Sequence, residues 1–153
     1  MTISFKIEGL DKLAAKLKSL EDLKFLKAIM RAAGEAVKKK IATYPPASEA
    51  NQPNSRRWYE RGYGPRWIVR SGEVHGSKTS ETLGRSWTTA VKDQGLTVEV
   101  GAHASYAPYV QDREQQAWFH KARGWRTVQD VVEEDGERIA NQVREALEKK
   151  LNA

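Results

Sequence analysis

The chain has 153 residues, a length suited to one domain, with 26 Lys plus Arg against 20 Asp plus Glu and a net charge of +6. Cysteine is absent, which excludes disulfide frameworks, thiolate zinc sites, CxxC redox chemistry and cysteine nucleophiles. Residues 1–10 lack the continuous apolar core of a signal peptide, and no stretch approaches the ~20 apolar residues that span a bilayer, so a soluble protein with no membrane partner is expected.

The charge is unevenly spread. Residues 1–44 hold 10 basic and 5 acidic residues (+5), 45–82 hold 6 and 4 (+2), 83–126 hold 6 and 4 (+2), and 127–153 hold 4 and 7 (−3). A basic front and an acidic tail allow a nucleic-acid surface, and equally allow one end of a subunit to meet the other end of a neighbour.

In chain order, Ile3, Phe5 and Ile7 alternate with Ser4, Lys6 and Glu8, which is strand period, and Gly9 stops the run. Leu10, Leu13, Leu17 and Leu20 then fall on one helical face. A second amphipathic helix is expected from about Leu23 to Tyr44, with Leu26, Ile29, Ala33, Val37 and Ile41 on its stripe, ended by Pro45 and Pro46.

Residues 46–82 show no period. They mix Ser, Asn, Pro and Gly with Arg56, Arg57, Trp58, Tyr59, Arg61, Tyr63, Arg66, Trp67 and Arg70, too aromatic a composition for a mere linker. Strand period returns in Trp87, Thr89 and Val91, and again in Leu96, Val98 and Val100 across a polar turn with Gly95, which reads as a β-hairpin. Pro108 makes residues 102–111 a short helical turn or an edge segment. Residues 112–126 read as irregular surface carrying Trp118, Phe119, His120 and Trp125. Thr127 is an expected N-cap with Asp130 at the third helical position, and Val128, Val132, Ile139, Val143, Leu147 and Leu151 run along one side of a final helix. The order β, α, α, long loop, β, β, irregular, α predicts an α+β domain over 1–153. In it a small antiparallel sheet, the N-terminal strand plus the central hairpin, is covered by two N-terminal helices and a C-terminal helix, with an insert at 46–82.

Familiar catalytic motifs are missing: there is no GxSxG, P-loop or GxGxxG. His75, His103 and His120 lie in separate segments without a ligand spacing, and Glu133, Glu134 and Asp135 are consecutive, so they point around the helix as a solvated start. No cofactor, metal or catalytic residue is therefore expected. A small hydrolase or nuclease would need a His and carboxylate site that the chain does not present. The basic aromatic loop supports two readings. Arg56, Arg57, Trp58, Tyr59, Arg61, Arg66 and Trp67 could neutralise phosphates and stack on bases, or could form a protein interface, where Arg and aromatics are also enriched.

Several segments, in order and spacing, resemble the tail-completion, or tail-to-head joining, neck proteins of long-tailed bacteriophages. They are the strand ending in Ile7-Glu8-Gly9-Leu10-Asp11-Lys12-Leu13 that runs into two helices, Thr82 to Trp87 entering a hairpin, Val100-Gly101 followed by Tyr106-Ala107-Pro108-Tyr109-Val110-Gln111, and the acidic final helix. Many members follow the Tyr-Ala segment with a short Glu-Phe-Gly-Thr loop, where this chain has the longer run to Trp125.

The resemblance implies a non-enzymatic virion part, made in the host cytoplasm and placed at the neck. It implies assembly with copies of itself into a ring, sixfold to match the tail, between a head-side connector or stopper and a tail terminator or tail-tube protein. Weak contact with passing DNA is compatible with that place. Tyr106, Tyr109, Val110, Gln111, Trp118, Phe119, His120 and Trp125 become the expected interface. Segments 46–82 and 111–126 are expected to be ordered by neighbours.

Overall fold

The structure is a computed structural model that describes residues 1–17, 20–45, 67–68, 70–72, 74–75 and 82–153. Strand β1 (Thr2–Lys6) turns Ile3 and Phe5 inward and leaves Thr2, Ser4 and Lys6 exposed, as its alternation requires. It pairs antiparallel with β5 (Thr97–Ala102), which pairs antiparallel with β4 (Trp87–Lys92), giving the order β1-β5-β4. The register aligns Ile3, Val100 and Thr89 in one row and Phe5, Val98 and Val91 in the next, so the apolar faces of all three strands coincide. A 3₁₀ turn at Asp93–Gly95 closes the hairpin. Residues 67–68 and 74–75 form a separate antiparallel pair, β2 and β3.

Helix α2 (Leu20–Ile41) lies across the apolar face of the sheet with Leu26, Met30, Ala33, Val37 and Ile41 buried. Gly34 permits this close approach: a Cβ there would sit 2.6 Å from Val98 Cγ2 and closer still to Thr89 Cγ2. Helix α6 (Val128–Leu151) packs on α2 through Val128, Val131, Ile139, Val143 and Leu147. The fold is α+β, with a small antiparallel sheet and helices on one face.

Three boundaries depart from the sequence reading. The first helix, α1, is only Leu10–Ala14, because Lys16 and Leu17 bond to Leu13 and Ala14 in tighter i→i+3 turns. Helix α2 accordingly starts three residues early, and it ends at Ile41. On α6 the buried valine is Val131, while Val132 is 44% exposed. The position that continues the true stripe is Asp135, a charge held by Lys40 from α2 and Arg138 from α6, which hides the stripe from a hydropathy reading.

Candidate interaction surface

The segment from Thr82 to Thr127 builds the surface. Helix α3 (Thr82–Ser86) leads into β4, and after β5 the chain enters α4 (Ala107–Gln111), whose Pro108 sits in the first turn where no N–H is needed. Gln111 is the joint. It is 1% exposed, accepts a hydrogen bond from Trp87 Nε1 at 3.2 Å, and donates from Nε2 to the Ile41 carbonyl at 2.6 Å. One side chain thus ties β4, the C-terminal end of α2 and α4 together.

The stretch read as irregular contains α5 (Trp118–Ala122) and is bonded throughout. The Ala117 N–H donates to Tyr109 O at 2.9 Å, and Gln116 Nε2 donates to Val110 O at 2.7 Å and Trp125 O at 3.0 Å. Arg113 reaches α6, with Nη1 and Nη2 each 2.7 Å from a Glu133 oxygen and Nη2 2.9 Å from Asp130 Oδ1. These bonds raise the Arg113 pKa and, for Glu133, hold the carboxyl below its ordinary range. Burial pushes the Asp130 carboxyl up, but hydrogen bonds from Thr127 and Arg113 outweigh it and leave it lowered. Thr127 caps α6 in the expected manner, its Oγ1 accepting from Asp130 N and its N–H donating to Asp130 Oδ2 at 2.7 Å. Arg126 binds Glu134. At the acidic start of α6, Glu133 and Glu134 are exposed to solvent as expected and also pair with Arg113 and Arg126 of their own chain, whereas Asp135 is buried.

Aromatic rings form a path from the core outward. Tyr44 meets Trp125 at 4.9 Å between centroids, Trp125 meets His120 at 6.2 Å, His120 meets Phe119 at 4.5 Å, and Phe119 meets Trp118 at 5.9 Å. Burial, with Arg123 nearby, depresses the His120 pKa to about 4, so its ring is neutral at pH 7.

The eight residues expected at an interface are brought into one region but differ in access. Tyr106, Tyr109 and Trp118 are 44%, 59% and 71% exposed. Phe119 and His120 are half-buried, whereas Val110, Gln111 and Trp125 are buried inside the subunit and brace the exposed rings from below. Arg56, Arg57, Trp58, Tyr59, Arg61 and Arg66 lie outside the described residues, and Trp67 is described as a strand residue of β2 opposite His75.

A second feature escaped the sequence reading. Beside β1, a groove of about 310 Å³ is lined by Phe5, Ile7, Val132, Gly136 and Ala140, with Lys6, Glu8, Glu137 and Arg144 also on its walls. Its signal was the misassigned Val132, an apolar residue on the open side of α6. Among the described residues no group of three or more His, Asp or Glu side chains could hold a metal, and no helix is long and apolar enough to cross a membrane.

Beside the helix-backed sheet, α4 and α5 hold three large aromatic side chains in solvent on a braced backbone, side chains of a type enriched at protein interfaces. Residues 11–112 match the HK97-gp10-like family model (bacteriophage HK97-gp10, tail-component), and the chain belongs to that family. It is a phage tail component, a protein of the virion. The match runs from α1 to the end of α4, so Tyr106 and Tyr109 fall within it and Trp118 beyond it. No curated protein and no solved structure matches the chain.

Proposed function

We propose that the protein is the tail-completion, head-to-tail joining subunit of a tailed phage or prophage. It forms a ring, sixfold like the tail, at the neck, meeting a head-side connector or stopper on one face and a tail terminator or tail-tube protein on the other. The observation that carries this reading is the exposure of Tyr109 and Trp118, at 59% and 71%, on a backbone held by the Ala117 to Tyr109 hydrogen bond. Aromatic side chains presented at low conformational cost are the anchors of protein interfaces, and a tail component has copies of itself and other virion proteins to meet. The charge halves need a revised role. Lys40 pairs with Asp135, and Arg113 and Arg126 pair with the other carboxylates at the α6 start, so much of the acidic tail is neutralised within the subunit. Specificity then falls to the aromatic surface.

Deleting the gene from its phage or prophage tests the reading. The expected lysate contains DNA-filled heads and finished tails lying apart, and purified protein added back joins them. Joined particles without the protein, or an absence of tails, would sink the neck assignment.

A further inference from the structure

Helix α6 carries a glycine, Gly136, that nothing within the subunit requires. Its φ is not positive, and a Cβ built there meets only Val132 Cγ1, at 3.7 Å, an ordinary contact. Glycine in a helix interior weakens the helix relative to alanine. Gly34 is the contrast, since a side chain there collides with β4 and β5. What the missing side chain at Gly136 does is deepen the groove between β1 and α6, whose walls are Phe5, Ile7, Val132 and Ala140. At about 310 Å³, it falls at the lower end of the roughly 300–1,000 Å³ that small-molecule sites span, a size for one aromatic group.

We infer that this groove receives Trp118 of a second copy of the chain, head to tail. Trp118 is the most exposed large apolar side chain among the described residues, and Trp is among the residues enriched at interface hot spots, which sit in well-packed pockets. The charges beside the indole favour the same occupant. Lys121 lies one turn from Trp118 on the same side of α5 and is exposed, while Glu8 and Glu137 stand exposed at the groove. Lys121, Glu8 and Glu137 have no ion-pair partner among the described residues, whereas of the two cations that also line the groove Lys6 is paired with Asp11 and Arg144 donates to Asn141 Oδ1 and to the Glu8 carbonyl. Seating the indole brings the ammonium to the carboxylates. Knob and groove are different surfaces of one subunit, so the contact is heterologous and propagates from subunit to subunit until it closes. The inference rests on the ring reading and specifies which surfaces make the ring.

Two variants and their mixture test it by native mass spectrometry. Trp118→Ala removes the knob and keeps the groove; Gly136→Leu fills the groove and keeps the knob. Circular dichroism melts confirm that both fold, with Gly136→Ala as the milder filling. Each variant alone is expected to stay monomeric where the wild-type chain assembles. Their equimolar mixture is expected to stop at a 1:1 heterodimer, since only one complete contact can form. As the chain has no cysteine, Lys121→Cys and Glu137→Cys introduced together should give a ladder of disulfide-linked oligomers on oxidation. Wild-type-like rings from both variants, with no ladder, overturn the contact while leaving the ring reading intact. A wild-type chain that stays monomeric in isolation and when added to its heads and tails overturns both.

Discussion

Replacing Gln111 by Leu keeps the side-chain volume close to native and removes only polarity. The Trp87 indole N–H and the Ile41 carbonyl then lose their partner, and both residues are buried, at 3% and 1% exposure. A buried polar group left unpaired costs about 1–3 kcal/mol, so two of them amount to about 2–6 kcal/mol. That is a large share of the ~5–15 kcal/mol that holds a domain together. For a chain of this size each kcal/mol shifts the midpoint by about 2–4 °C, and a fall of roughly 10 °C is expected. Thermal unfolding followed by far-ultraviolet circular dichroism measures the midpoint, and denaturant unfolding the free energy. A double-mutant cycle sharpens the reading: Trp87→Phe removes the stranded donor, so it should cost less in the Gln111→Leu background than in the wild type, with a coupling of about 1 kcal/mol. A Gln111→Leu protein within about 0.5 kcal/mol of wild type, the range of an unremarkable surface change, would refute the claim that Gln111 joins the three elements.

Thr127→Ala removes the acceptor for Asp130 N and should destabilise by about 1 kcal/mol, seen as a lower thermal midpoint with unchanged helix content; no loss would deny the cap a role. Gly34→Ala forces a methyl against Val98 and Thr89 and should cost about 1–3 kcal/mol, checked by the same melts. Gly136→Ala has the opposite sign, a gain of about 0.5–1 kcal/mol in the isolated subunit. His120 makes stability fall with acidity: its folded pKa is depressed from 6.5 to about 4, so between those values the unfolded chain takes up a proton that the folded chain refuses. The stabilisation is complete above pH 6.5 and is lost as pH falls towards 4, about 1–2 kcal/mol after discounting for a half-exposed ring. The lowered carboxylates Asp130 and Glu133 act in the same direction but only at lower pH, through the ordinary carboxylate range. A His120→Phe protein should therefore flatten the stability profile between pH 6.5 and 5, and an unchanged slope would contradict it.

The sheet was legible because its alternation is local: Ile3, Phe5, Trp87, Val98 and Val100 declare their faces without reference to the rest of the chain. The α6 cap was legible for the same reason, Thr127 and Asp130 being three residues apart. What escaped depends on partners distant in sequence. Asp135 sits on the buried face because Lys40 of α2 reaches it, and its charge diverted the stripe from Val131 to Val132. Residues 112–126 lack a period because polar side chains, Gln116 and Arg113, hold them against α4 and α6 in place of an apolar face. Aromatic composition singled out this region of the chain, but only the fold separates Tyr109 and Trp118, which face solvent, from Trp125, which is buried beneath them.

The reading of this tail component as a ring-forming neck subunit is tested most directly by imaging the assembled protein, purified from joined particles, by single-particle electron microscopy. The account predicts a closed ring with sixfold symmetry and the same contact repeated between every pair of neighbours. A monomer bound at one point, or a two-fold dimer burying the same surface on both copies, would contradict it.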